Sequence, residues 1–229
     1  MRRAAIAAAV ACAAVAASPP APAAAEPTGR VVGTVKVTES DGQPVNPTTP
    51  ADVVVYVVGF TAPATDKLTS IAQKGRKFVP DLIAITVGER VEFPNFDPFL
   101  HNVFSQSLPR KFDLGSFTQG ETKQKDFPVP GVVDVYCNIH PEMAATILVL
   151  PNRRHTLAAP DGKFALDGVP PGDWTVFAYT RRATRPASAP VTVKPGAATS
   201  IDLAIVRGAE PAHLNKYGEK YHDTVQTYR

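Results

Sequence analysis

Short stretches in which apolar and polar residues alternate run through most of the chain, and β-branched residues are frequent within them. Such period-two alternation is typical of half-buried β-strands, whereas no long stretch beyond the first 25 residues repeats like an amphipathic helix. Turn signals such as Asp41-Gly42, Asp161-Gly162 and Pro195-Gly196 separate the stretches. The pattern predicts an all-β protein, with strands over residues 31–37, 53–58, 82–87, 90–93, 102–105, 122–127, 131–137, 146–150, 163–166, 173–179, 189–193 and 199–205.

The first 25 residues have a different pattern from the rest of the chain. A basic start at Arg2 and Arg3 precedes an almost uninterrupted apolar run to Ala17, and a Pro/Ala-rich stretch ends at Ala25. This is the layout of a secretory signal peptide, and the apolar run is too short and too poor in Leu and Ile to predict a membrane span. We expect residues 1–25 to be removed, with a cut near Ala17 as the alternative, and the mature protein to be periplasmic or secreted without a transmembrane segment.

The net charge and the number of cysteines exclude some classes of function and single out one thiol. The chain has 24 Lys+Arg against 21 Asp+Glu, a net charge of +3, and Arg2 and Arg3 would leave with the leader. Because the remaining basic residues are scattered, no nucleic-acid surface is expected. Of the two cysteines, Cys12 lies in the leader, where Ala9-Val10-Ala11 lacks the Leu that lipoprotein sites prefer. Cys137 would then be a single thiol in an oxidising compartment, which burial or metal ligation can protect.

Cys137, His140 and Met143 follow one another at intervals of three residues, between the strand-like stretches 132–136 and 146–150. A hairpin end of this kind can direct a thiolate, an imidazole and a thioether at one point. A fourth ligand has to come from another part of the chain, and His101, directly ahead of the predicted strand 102–105, is the natural candidate. The sequence therefore predicts a metal site formed by these four residues.

Soft sulfur ligands favour Cu(I) and imidazole suits either oxidation state, so two His, one Cys and a weak axial Met fit a one-electron copper site. Taken singly, a buried Cys, a surface His or a core Met would be ordinary. Taken together they are not, because the only Cys and the only Met after residue 25 lie six residues apart. Zinc is the alternative metal, but structural zinc prefers a fourth Cys, His or carboxylate, for which only Glu142 stands nearby.

Residues 77–88, 91–95, 101–104 and 131–150 resemble the cupredoxins, and among them the plastocyanin and amicyanin group of small electron carriers. The resemblance covers about residues 68–150 and implies a Greek-key β-sandwich over 66–151 with one type 1 blue copper ion. It also implies that Asn102 braces the loop by hydrogen bonds near the Cys137 sulfur. By the same resemblance His101 is buried and His140 reaches the surface through an apolar patch. Ile139 departs from the family, which usually has Pro there.

Two other parts of the chain resemble a second family. Residues 161–179 are similar to the latter half of a carboxypeptidase regulatory-like, transthyretin-type β-sandwich, and residues 33–45 with 51–57 are similar to its opening strands. We therefore expect a second, smaller, discontinuous sandwich built from 30–60 and 152–206, with the cupredoxin domain inserted into one of its loops. The alternative is two domains in series. Residues 207–229 are polar and aperiodic, and we interpret them as a tail that lies on the surface or is partly disordered.

These features together indicate an exported one-electron carrier that is not an enzyme, since no His-Cys-His string and no second mature Cys for a binuclear centre are present. The resemblance implies redox protein partners, such as a periplasmic dehydrogenase or a respiratory-chain component. Two alternatives remain open at this point. One is a copper-binding protein for Cu(I) delivery or storage, and the other is a structural or sugar-binding sandwich without metal.

Overall fold

The computed structural model describes residues 27–45 and 52–221. The expected leader, with Cys12 and both candidate cleavage positions, lies outside the described residues, as do 46–51 and the final residues 222–229. The regular elements in the described ranges are β-strands, which confirms the all-β prediction. No helix in these parts of the chain has both the length and the apolar character that a membrane crossing needs.

The strands are numbered in chain order. Their bounds are β1 Gly29–Glu39, β2 Val54–Val58, β3 Leu68–Ser70, β4 Ala72–Gln73, β5 Phe78–Val79, β6 Leu82–Thr86, β7 Arg90–Pro94, β8 His101–Ser105, β9 Phe112–Phe117, β10 Thr122–Asp126, β11 Gly131–Tyr136, β12 Ala144–Leu150, β13 His155–Leu157, β14 Lys163–Val169, β15 Gly172–Tyr179, β16 Ala187–Val193 and β17 Ala198–Arg207.

The strands that the alternation predicted are present within a few residues of their expected bounds. Alternation did not reveal β3, β4, β5, β9 and β13. Four of these have only two or three residues, too few for a period to show. The fifth, β9, lies at the edge of its sheet and contains Gly115 at a φ of 70°, and its pairing with β8 shifts register. An irregular edge strand of this kind has no clean two-residue pattern.

The middle of the chain forms one β-sandwich. A five-stranded sheet in the order β6-β12-β11-β8-β9 faces a three-stranded sheet in the order β10-β7-β3. The core between them is apolar and includes Phe93 and Phe127, both fully buried, together with Cys137 and Met143. The candidate thiolate and thioether therefore lie at one end of this core, away from bulk water.

The strands before residue 60 and after residue 152 form a second, separate sandwich. Its sheets run β14-β1-β17 and β13-β2-β15-β16, around an apolar core of their own. The strand β1 pairs in parallel with β17, and Gly33 lets the two approach closely, since a Cβ there would lie 1.7 Å from the Ile201 carbonyl oxygen. If the first sandwich is inserted into the second, strands that precede and follow it in the chain have to pair, as β1 and β17 do. The domain boundaries and the transthyretin-type likeness stay predictions.

A third apolar cluster joins the two sandwiches. Val54 of the second sandwich packs with Leu82, Leu148 and Leu150 of the first, and Tyr179 lies against them. Beside this cluster, the Arg181 guanidinium forms an ion pair with Asp81 at 3.0 Å. The two sandwiches are therefore in direct contact through the β6 and β12 side of the first.

We expect Leu148→Ala to lower the free energy of unfolding by about 3 kcal/mol, the usual cost of a buried Leu→Ala cavity. Leu148 is 1% exposed and lies in the cluster that joins the two sandwiches. Denaturant unfolding of the full chain measures the loss. The matched control is Leu157→Ala, at a position 58% exposed, where the change should stay within about 0.5 kcal/mol. Equal effects of the two substitutions would contradict the described packing.

Candidate metal centre

The loop 137–143 joins two antiparallel strands and brings three candidate ligands together. The last pair of the ladder is Tyr136 of β11 with Ala144 of β12, so the loop is the end of a hairpin. Its own backbone closes it, because the Cys137 N–H donates to the Met143 carbonyl at 3.2 Å and the Met143 N–H donates to the His140 carbonyl at 3.1 Å. The neighbouring strand β8, which pairs with β11, begins with His101 and places this side chain beside the loop.

Three donor atoms converge at this point. The Cys137 Sγ lies 3.9 Å from His101 Nδ1 and 3.8 Å from His140 Nδ1, and the two imidazole nitrogens are 3.0 Å apart. His101 and Cys137 are fully buried, and His140 is half-buried. Bonds of about 2.0–2.3 Å, usual for a small metal ion, would let all three atoms share one ion.

Met143 is the fourth candidate ligand, and its side chain is fully buried in the same apolar cluster as Cys137. Its position in the loop, six residues after the thiol, keeps it at the same end of the sandwich. The role of its thioether as an axial ligand stays a prediction.

Backbone N–H groups surround the Cys137 sulfur. It accepts from the Asn102 N–H at 3.5 Å and from the Ile139 N–H at 3.4 Å. Burial raises the pKa of the Cys137 thiol, and these N–H groups act in the opposite direction. The thiolate thus has prepared hydrogen-bond donors, but burial disfavours it unless a cation is also present.

No sequence pattern indicated Asp97, whose carboxylate holds the ring of His101. The His101 Nε2–H donates to Asp97 Oδ2 at 2.8 Å, which leaves Nδ1 free to face the cluster. Burial would raise the pKa of Asp97, but hydrogen bonds from the Arg76 N–H, His101 and the Gly75 N–H lower it overall. A carboxylate in this position fixes the tautomer and orientation of a ligating imidazole and makes it a stronger donor.

His140 connects the cluster with the surface. Burial, followed by the electrostatic influence of its neighbours, lowers the pKa of His140 and so favours its neutral form, the form in which an imidazole can bind a metal. The Phe99 ring packs edge-on against both imidazoles, at centroid distances of 5.2 and 5.5 Å. Phe99 is 40% exposed and Ile139 42% exposed, so apolar side chains are exposed around the partly accessible ring.

Asn102 contributes through both its backbone and its side chain. Besides the N–H to sulfur contact, its Nδ2 donates to Asp113 Oδ1 at 2.7 Å, and Asp113 also pairs with Lys216 at 2.7 Å. The expected hydrogen bond near the Cys137 sulfur is therefore a backbone contact, and the amide side chain links outward to Lys216. The proposal that Asn102 braces the site stays a prediction.

The described part of the C-terminal segment, residues 208–221, lies against the ligand loop, residues 137–143. No sequence pattern indicated this contact. The His213 Nε2–H donates to the Pro141 carbonyl at 2.7 Å, and the Tyr221 hydroxyl donates to the Cys137 carbonyl at 2.9 Å. Residues 207–229 were expected to form a tail that lies on the surface or is partly disordered, and the described part of it makes these specific contacts. Such contacts depend on where the chain returns after β17, and local sequence does not encode that return.

The donor set also bears on the zinc alternative. The Glu142 carboxylate pairs with Arg76 at 3.1 Å and is not part of the metal-ligand group. Within residues 27–45 and 52–221, the His, Cys and carboxylate side chains that could share an ion are His101, Cys137 and His140. A thiolate, two imidazoles and a nearby thioether fit copper better than a structural zinc ion.

Part of the chain is similar in sequence to two plastocyanins. No family model matches the chain. In sequence, it is 33% identical over 72 residues to the plastocyanins of Ulva arasakii and Ulva pertusa, an alignment that covers 28% of this chain and 74% of each plastocyanin.

Parts of the chain also match solved structures. A purple cupredoxin from Nitrosopumilus maritimus matches with 24% identity over 35% of this chain and 98% of that protein, at a TM-score of 0.32. A methionine-to-alanine mutant of amicyanin in its Cu(I) form matches with 17% identity over 42% and 97%, at 0.35. A copper-containing nitrite reductase from Thermus scotoductus matches with 26% identity over 50% of this chain but 28% of the enzyme, also at 0.35.

The plastocyanin alignment supports a family assignment, which the structural matches do not. It combines 33% identity with coverage of about three quarters of the plastocyanin chain. It concerns less than a third of the present chain, which leaves room for the second sandwich and the C-terminal segment. On this alignment, the chain belongs to the plastocyanin family.

Proposed function

We propose that the protein is an exported type 1 blue copper protein that carries single electrons, with copper held by His101, Cys137, His140 and Met143. The observation that supports this most strongly is the buried group of one thiol and two imidazole nitrogens within 3.9 Å of one another. When bound, copper supplies a centre that gains and loses one electron between Cu(II) and Cu(I).

The residues around the donors are arranged to hold them still. Asp97 fixes the His101 ring, and the N–H groups of Asn102 and Ile139 point at the Cys137 sulfur. Because the ligand positions are set by strands and hydrogen bonds, little has to move when an electron arrives. This favours a carrier over an enzyme that must open a coordination position for a substrate.

The half-buried His140 is the proposed contact point for redox partners. Its ring packs against the exposed Phe99, the preceding residue Ile139 is also exposed, and His101 is fully buried. An apolar surface around a ligand lets a partner approach closely and separate again quickly. A periplasmic dehydrogenase or a respiratory-chain component is the class of partner that we propose.

Export to the periplasm or outside the cell forms part of the proposal. It is supported by the leader-like pattern of residues 1–25 and by the burial of Cys137, the one free thiol in the described part of the chain. We also propose that the cupredoxin sandwich, residues 66–151, is inserted into the second sandwich, 30–60 with 152–206. The pairing of β1 and β2 with strands that follow residue 152 supports it.

The copper-loaded protein should show an intense visible band from thiolate-to-Cu(II) charge transfer, and its oxidation and reduction should be reversible in voltammetry. Cys137→Ser should abolish the band, because the sulfur donor is lost. A colourless protein that holds only Cu(I) and passes it to a chelator would instead identify a delivery or storage protein. A chain that purifies without stoichiometric metal after growth with copper would be a structural or sugar-binding sandwich.

Met143→Leu should keep copper bound and raise the reduction potential, because loss of the weak axial bond would leave three ligands, a number that suits Cu(I) better than Cu(II). A tenfold selective loss of Cu(II) affinity corresponds to about 59 mV for one electron, and we expect a rise of at least this order. Leu preserves the volume of the buried side chain, so packing is little disturbed. Voltammetry of both proteins measures the shift, and an unchanged potential would show that Met143 is not the axial ligand.

Asp97→Asn should also raise the potential, since the neutral amide makes the His101 imidazole a weaker donor to Cu(II). Loss of such a partner typically lowers metal affinity about 10–100-fold. We therefore expect Cu(II) affinity to fall by at least about tenfold, and by more than Cu(I) affinity, in competition titrations. Asp66→Asn, at an exposed position, is the matched control and should change neither quantity. Equal results for the two variants would exclude a role of Asp97 at the metal.

A further inference from the structure

Several hydrogen bonds that reach the ligand loop and its end start outside the sandwich that contains the loop. The Tyr221 hydroxyl bonds the Cys137 carbonyl, the His213 ring bonds the Pro141 carbonyl, and the Lys216 N–H donates to Asn138 Oδ1 at 2.9 Å. At the far end of the loop, the Arg181 guanidinium donates to the Ala144 carbonyl at 3.1 Å. Three of these donors belong to the C-terminal segment and one to the second sandwich.

The C-terminal segment has a defined conformation of its own. Asn215 is 8% exposed, and its side-chain oxygen accepts from the N–H groups of Tyr217 and Glu219. The Gly218 N–H closes the turn on the Asn215 carbonyl at 3.0 Å, with a φ of 82° that suits glycine. This turn reverses the chain, so that the residues on both sides of it face the ligand loop.

The start of the segment is fixed to the second sandwich. The Gly208 N–H donates to the Arg182 carbonyl at 2.7 Å, and the Arg182 Nε–H donates back to the Gly208 carbonyl at 2.8 Å. Arg181, which bonds the loop at Ala144, also pairs with Glu210 of the segment. One end of the segment is therefore attached to the second sandwich at Arg182, and its other end lies across the ligand loop.

Two of its side chains connect to groups that surround the candidate ligands. Lys216 pairs with Asp113, which accepts from the side chain of Asn102, the residue whose N–H faces the Cys137 sulfur. The His213 ring stacks on Tyr136, the residue before Cys137, at a centroid distance of 3.9 Å and an interplanar angle of 18°. The segment therefore contacts Tyr136, which precedes Cys137, and is linked through Asp113 to Asn102, which follows His101.

We propose that residues 208–221 form a strap that, together with Arg181, restricts the motion of the ligand loop from outside and slows the loss of copper. The retention of copper rests on the proposed function, whereas the restriction of the loop does not. Tyr221, His213 and Lys216 are positioning residues in this proposal, because they act on the backbone and the neighbours of the ligands. The second sandwich then serves as the support from which the strap extends.

The restriction of the loop can be measured without copper. In metal-free full-length protein, Tyr221→Phe removes the hydroxyl that bonds the Cys137 carbonyl and keeps the ring. Native-state amide hydrogen exchange of residues 137–143 should become about fivefold faster, the factor expected for the loss of one net hydrogen bond. Tyr217→Phe is the matched control, since Tyr217 lies on the same segment and is 71% exposed. Its exchange rates should equal those of the unmodified chain.

The retention of copper is measured on the loaded protein with an excess of the Cu(I) chelator bathocuproine disulfonate. The triple variant His213→Phe, Lys216→Met and Tyr221→Phe removes the two side-chain hydrogen bonds to the loop carbonyls and the Lys216–Asp113 ion pair, whereas the Lys216 N–H bond to Asn138 remains. It should lose copper more than about tenfold faster. Lys220→Met, at an exposed position of the same segment, is the control for the removed charge and should leave the rate unchanged. Thermal unfolding of each metal-free variant verifies that the two sandwiches remain folded.

The outcomes separate the strap from the copper assignment. Faster amide exchange in Tyr221→Phe supports the strap even when the unmodified chain takes up no copper, a result that would refute only the proposed function. Faster exchange together with faster copper loss supports both. Unchanged exchange and unchanged copper loss in folded variants would overturn the strap, whatever the colour of the protein.

Discussion

The structure depends on one interaction above all, the approach of the Cys137 sulfur to the Nδ1 atoms of His101 and His140. Two imidazole nitrogens 3.0 Å apart, beside a thiol that is fully buried, are costly to keep dry unless a shared proton or a cation satisfies them. Burial raises the pKa of the thiol, and backbone N–H groups oppose that rise. A positive ion at this point resolves the conflict, because the thiolate and both nitrogen lone pairs then have a common partner.

The two sandwiches contribute to this arrangement in different ways. The first provides the hairpin of β11 and β12 and the start of β8, so its pairing register decides which side chains meet. The second packs against the back of the same sheet through Val54, Leu82 and Leu148 and extends Arg181 to the end of the ligand loop. The loop therefore has support from the apolar core on one side and from hydrogen bonds of a separate unit on the other.

The different exposure of the two candidate imidazoles limits the place where an electron can enter or leave. His101 is closed off by Asp97 and the core, and Tyr136 is covered by the ring of His213. His140 is the half-buried candidate ligand, and the exposed residues near it, Phe99 and Ile139, are apolar. A surface that is apolar at its centre and close to a single ligand suits brief contacts with partners better than permanent assembly, in which much larger apolar areas are buried.

The sequence by itself determined the strands and the candidate ligands of the hairpin, because alternation records which face of a strand is buried and the 137–143 spacing lies within one short loop. It also indicated His101, since few other residues could supply a matching donor. Asp97, the outward link from Asn102 to Lys216 and the contacts of His213 and Tyr221 were decided by the tertiary structure alone. Asp97 meets His101 within the short connection between β7 and β8, whose irregular conformation follows no sequence period. The other contacts join residues far apart in the chain, and their approach depends on packing of which a one-dimensional pattern contains no record.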